Sequence, residues 1–165
     1  MRVSLVVGNP KARSRTWEAA HRLADGLGAT DVVAHDLVDL GPGLLGWGDP
    51  DVSAAVKAVA SSDVAIFASP TFKATYTGLL KLFLDQLPGG TGLEGVVGIP
   101  LMLGAGPAHQ LAAELHLKPV LVEVGATVPA PALYLIDSAP QPDAVEHSWL
   151  ASWAPVVRAA VGVEA

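Results

Sequence analysis

Cysteine is absent from the 165 residues. That absence excludes disulfides, a thiolate nucleophile and zinc–sulfur sites together. Cationic charge is also scarce: ten Lys and Arg stand against sixteen Asp and Glu, a net charge of −6, so no basic stripe is available to meet nucleic-acid phosphates. No apolar run reaches the roughly 20 residues of a membrane span. Met1 and Arg2 lead straight into Val3–Val7, a run too short for a secretory signal and without a small-residue cleavage site, and the expected location is the cytoplasm. The loop after the first strand, Asn9–Thr16, is neither Gly-x-Gly-x-x-Gly nor a P-loop ending Gly-Lys-Ser/Thr, which argues against a Rossmann dinucleotide enzyme and a nucleotide hydrolase. The histidines His21, His35 and His147 have no carboxylate or histidine neighbours at ligand spacing, so no metal is expected.

What remains is apolar and regular. Hydrophobic residues make up 51% of the chain and the mean hydropathy is +0.44, which favours a sheet buried on both faces. The length suits a single domain over residues 1–165. Short β-branched or apolar runs at Val3–Val7, Asp31–Leu37, Val64–Ala68, Val96–Leu103 and Pro131–Ile136 read as strands. Helical spacing follows Ser14 as far as Gly28, spans Asp51–Ser61, and runs up to Leu87. It returns over Ala108–Val124, with a bend expected at Pro119, and over Asp143–Val161. Gly41–Pro50 is read as a loop, and Pro100 is an objection to its strand. Regular alternation of strand and helix implies right-handed crossovers and a parallel sheet with helices on both faces.

The most distinctive stretch begins at Ser69 and runs Ser-Pro-Thr-Phe-Lys-Ala-Thr-Tyr-Thr-Gly-Leu-Leu-Lys. It joins a buried strand to a helix through a turn held by Pro70. Thr71, Phe72 and Lys73 offer N–H groups and a flat ring suited to a planar heterocycle. A second distinctive loop, Asn9-Pro-Lys-Ala-Arg-Ser-Arg-Thr16, ends at a helix N-terminus, where free N–H groups and the dipole favour an anion. Ser14 and Thr16 can add hydroxyls, and Arg13 or Arg15 a charge-assisted bond to phosphate. The alternative for this loop is a helix cap flanked by surface arginines. A third loop, Gly104-Ala-Gly-Pro-Ala-His109, is rich in glycine, so that its backbone can approach the edge of a ring.

These segments resemble the NAD(P)H-dependent FMN reductases, particularly those serving two-component monooxygenases. The resemblance covers about three-quarters of the chain, with Asn9 standing where the family's loop usually has serine. It implies an α/β, flavodoxin-like three-layer sandwich with a five-stranded parallel sheet in the order 2-1-3-4-5, whose crevice opens at the carboxyl ends of the strands. It also implies FMN and NADH or NADPH as ligands. Asn9, Arg13, Ser14, Arg15 and Thr16 would lie at the FMN phosphate. Pro70, Thr71, Phe72 and Lys73 would lie along the isoalloxazine, with Gly104, Ala105 and Gly106 at its pyrimidine side. His109 is carried as a further cofactor contact, beside the reading of a cap or packing residue.

No catalytic acid–base residue is expected, because the flavin carries the hydride chemistry. Leu115 or His116 falls where some family members place an aromatic or histidine at a subunit interface. The leucines of Leu79–Leu87 suggest a homodimer or homotetramer, and a flavin-dependent monooxygenase is an expected recipient of reduced flavin. A quinone or azo-dye reductase and a flavodoxin-type electron carrier are the alternative functions.

Overall fold

The computed structural model describes residues 1–139 and 144–162. Its strands are β1 (Arg2–Val7), β2 (Asp31–Asp36), β3 (Val64–Pro70), β4 (Val97–Gly104) and β5 (Leu133–Ile136). They form one parallel sheet in the order β2-β1-β3-β4-β5, the expected flavodoxin-like arrangement. The α-helices are α1 (Arg15–Gly26), α2 (Pro50–Ala60), α3 (Gly78–Leu84), α4 (Lys118–Glu123) and α5 (Ala144–Ala160).

Side chains alternate across the sheet, so each central strand feeds two cores. Val3, Leu5 and Val7 of β1 join Val64, Ile66 and Ala68 of β3 beneath α1 and α5. Val6, Ala65 and Phe67 face the opposite way, onto α2, α3 and α4. Both faces of the sheet are covered, which explains the near-continuous apolar strands.

The helices start where their caps dictate. Ser14 accepts from the Trp17 N–H at 3.4 Å ahead of α1, and Asp49 accepts from the Asp51 and Val52 N–H groups ahead of α2, with Pro50 in the first turn. Gly28, at φ 78°, closes α1 in a conformation natural to glycine.

Several expected boundaries differ. Short 3₁₀ turns over Leu37–Leu45, broken at Gly41, take the last residue expected in the second strand and run into the segment expected to be a loop. The helix expected to reach Leu87 is limited to Gly78–Leu84, because Thr77 caps its start and the chain turns after Asp85. The long helix expected over Ala108–Val124 is interrupted: a 3₁₀ turn at Pro107–His109 precedes a π-turn at Ala113–Leu117. Pro119 lies in the first turn of α4, directly after the π-turn, so its missing N–H falls where the α-helical ladder restarts. For the closing helix, Asp143 lies outside the described residues.

Pro100 fits β4 for a local reason. The Gly98 N–H points away from β3, donating to Thr127 O at 2.9 Å. Residue 100 points the same way, and β5 pairs with β4 only from Leu101 onward. The missing donor therefore faces a place with no ladder partner. Among the described residues, no helix is long and apolar enough to cross a membrane.

Candidate functional site

The carboxyl ends of β1, β3 and β4 bound a cleft of about 390 Å³. Asn9, Arg13, Ser14, Arg15 and Thr16 line it from the first loop, Pro70, Thr71 and Phe72 from the second, and Gly104 and Ala105 from the third. Sequence-distant loops meet because the strand order reverses here, placing β1 beside β3.

The first loop is built by its own side chains. Asn9 accepts the Lys11 N–H at 2.9 Å and donates Nδ2–H to Thr16 Oγ1 at 3.1 Å. Since Thr16 Oγ1 accepts from Asn9, and Ser14 Oγ from Trp17, each hydroxyl hydrogen is left to donate elsewhere. The N–H groups of Ser14, Arg15 and Thr16 begin α1 and have no intrahelical acceptor. Together they form an anion cradle.

Arg13 is directed differently from the expected phosphate contact. Its backbone has φ 50°, its N–H donates to Asp36 Oδ2 at 2.9 Å, and its guanidinium lies 3.5 Å from Asp36 and 3.6 Å from Asp39. It also rests 4.1 Å above the Trp17 ring. Asp36 is buried at the end of β2. Burial pushes its carboxyl above the ordinary range, against the opposing pull of the Arg13 N–H. Arg15 reaches across the cleft to Asp137, pairing with its carboxylate at 2.7 Å and its carbonyl at 3.1 Å.

In the second loop, Ser69 is a structural residue. Its buried hydroxyl accepts the Thr77 N–H at 3.0 Å and donates to Pro70 O at 2.8 Å. Thr71 donates its N–H to Leu103 O at 2.6 Å, while its buried Oγ1 has no partner. Phe72 and Thr75 exchange backbone hydrogen bonds at 2.8 and 3.2 Å across a tight turn. The two central residues, Lys73 and Ala74, have φ of 51° and 67°, a conformation that usually selects Asn and Gly. Lys73 is therefore at the exposed tip and outside the cleft lining. The Phe72 ring is 50% exposed and forms an apolar platform at the rim.

The third loop departs most from expectation. A Cβ on Gly104 would lie 1.7 Å from the Tyr134 hydroxyl, so the glycine makes room for a side chain of this protein as well as bordering the cleft. Tyr134 donates that hydroxyl to Gly106 O at 3.0 Å. Gly106 and His109 line an adjoining cleft of about 520 Å³ with Thr71 and Tyr134. Leu115 and His116 are exposed further along, in a groove that includes Ala74 and Leu111.

Sequence reasoning missed Asp36, Tyr134 and Asp137. Two of them carried a usable signal: an aspartate immediately ending an apolar run, at the sheet edge where ligands bind. Among the described residues, no group of three or more His, Asp or Glu could hold a metal ion.

The family model for NADPH-dependent FMN reductases matches residues 1–141. The chain belongs to this family. An FMN reductase (NADPH) from Escherichia coli K12 is 34% identical over 126 residues, covering 73% of this chain and 65% of that protein. An FMN reductase (NADPH) from Pseudomonas putida KT2440 is 32% identical over 143 residues, covering 84% of this chain and 72% of that protein. Among solved structures, the apo form of the NADH:FMN oxidoreductase EmoB superposes with a TM-score of 0.84 at 29% identity, covering 96% of this chain and 88% of that one. A Streptococcus pneumoniae flavodoxin, at 18% identity and a TM-score of 0.68, shares the fold. The reductase family expected from the three loops is thus the family to which the chain belongs.

Proposed function

We propose that the protein reduces FMN with a hydride from NADPH or NADH. The observation that carries this reading is the joining, in one cleft, of an anion cradle at the start of α1 and a flat rim at Pro70–Phe72. The relatives' names support it: two act with NADPH and the similar solved structure with NADH.

The residues present fit FMN. Its phosphate would take the Ser14, Arg15 and Thr16 N–H groups and the two free hydroxyl hydrogens, with Arg15 supplying charge. The unpartnered Thr71 Oγ1 would gain a polar partner from the ring edge, an atom otherwise costly to leave buried alone. Phe72 and Pro70 would cover one side of the isoalloxazine and exclude water from it. Ala105 and Gly106 would lie beside the ring, with His109 at the outer end of the adjoining cleft. When bound, FMN supplies the redox chemistry, and the protein's part is position and electrostatics.

We further propose a cytoplasmic homo-oligomer that delivers reduced flavin to a monooxygenase. The leucine argument for an oligomer is narrower than the sequence suggested, since Leu80, Phe83, Leu84 and Leu87 are buried within the chain. The exposed Leu111 and Leu115 are better support for a contact. Light scattering of the purified protein tests the assembly.

The activity test is oxidation of NADPH and NADH, with and without added FMN. Turnover that rises and saturates with FMN is the expected result. Flavin binding without turnover would overturn the reductase reading.

A further inference from the structure

We infer that Asp137 sets how weakly the cleft holds a phosphate, by occupying the arginine that a phosphate would need. This inference rests on the FMN-binding reading and concerns its strength.

Each arginine of the first loop is already matched by a carboxylate. Arg13 is held by Asp36 and Asp39, and Arg15 by Asp137. Lys11, on the cleft lining, has no carboxylate partner among the described residues. The cradle at the start of α1 therefore offers dipoles and hydroxyls, with Lys11 an uncompensated cation of the lining and both arginines already neutralised.

The two partners of the Arg15 pair differ in freedom. The Arg15 side chain is 65% exposed, that of Asp137 31%. An ion pair so open to water is weakly held, and Arg15 can leave it. The main chain of Asp137 is anchored, its N–H donating to Gly104 O at 2.9 Å at the end of β4, so its side chain can turn but not leave. A phosphate that draws Arg15 away leaves an unpaired carboxylate at the mouth of the same cleft. It must displace one anion and then tolerate it nearby. An uncharged hydroxyl in place of the phosphate meets neither obstacle. Asp137 thus narrows the preference of the site for FMN over riboflavin, and favours release of the phosphorylated flavin.

The experiment titrates wild type, Asp137→Asn and Asp137→Ala with FMN and with riboflavin, following quenching of flavin fluorescence. Both variants are expected to raise the FMN-to-riboflavin affinity ratio by roughly threefold to tenfold, with the gain shrinking as salt is added. A thermal melt of each variant shows that the fold is intact. An unchanged ratio in both variants overturns the inference. A lowered ratio also overturns it, since Asp137 would then be positioning Arg15 for phosphate. Wild type that binds neither flavin overturns the FMN reading itself, and this inference with it.

Discussion

The hydroxyl of Thr77 donates to the carbonyl of Gly8 and accepts the Leu80 N–H at 3.1 Å. One side chain therefore caps α3 and fastens it to the first site loop. Gly8 completes the contact: a Cβ there would lie 2.5 Å from Leu80 Cβ. Thr77→Val should destabilise the protein by about 2 kcal/mol, from loss of the cap and an unpaired buried carbonyl. It should also weaken FMN binding, with Thr77→Ser retaining most of both. Denaturant midpoints and flavin titration check the pair.

Ala74 gives a prediction of opposite sign. Its φ of 67° lies where an L-residue other than glycine carries steric strain. Ala74→Gly removes that strain but loosens the unfolded chain, so a net gain of about 0.5–1 kcal/mol is expected. Urea unfolding would show it as a higher midpoint at an unchanged slope.

Glu146 is 1% exposed and pairs with Arg22 at 3.0 Å, joining α5 to α1. Glu146→Ala should destabilise the fold by about 2–4 kcal/mol, because it strands a partly buried guanidinium. The effect belongs to stability: FMN affinity of the folded variant should match wild type.

His35 supplies the pH dependence. Its Nε2 is buried without a partner, and desolvation holds its pKa below the ordinary 6.5. On acidification the unfolded chain takes up the proton first. Stability present above 6.5 is therefore lost progressively as pH falls through the folded value. His35→Val should flatten the fall in unfolding free energy below about pH 6.5. Parallel denaturation series at neutral and mildly acidic pH would reveal the difference.

Arg15→Ala should lower FMN affinity by roughly threefold to tenfold and leave riboflavin affinity nearly unchanged. Equal FMN affinity in variant and wild type would remove Arg15 from the phosphate site.

The succession of strands and helices was legible because its signals are local: β-branched runs, a serine before α1, a glycine after it. The spatial order of the strands came with the family resemblance. The cleft-lining residues of the first two loops were legible for the same reason, since capping and turn chemistry are written in adjacent residues. Partners supplied from afar were not. Asp36 and Asp137 reach their arginines across 23 and 122 residues, and no spacing rule connects them. Arg13 misled because a basic residue beside an anion cradle says nothing of where its guanidinium points. Gly104 showed only part of its reason, as only Tyr134 on β5 reveals what else its missing side chain accommodates. The broken segment before α4 escaped notice because Ala113, Leu117 and Leu121, all buried, keep a four-residue apolar spacing through the π-turn.

The Arg22–Glu146 pair also has a consequence in time. Its partners are separated by 124 residues, which a ribosome adding about 5–20 residues per second spans in about 6–25 s. Throughout that interval α1 exists without α5, and as Ile66 and Leu101 are added in turn to the side of the sheet begun by Leu5, that apolar side has no α5 to cover it. The nascent chain thus has a window in which it is a client for holding factors, and the window shuts only when α5 arrives.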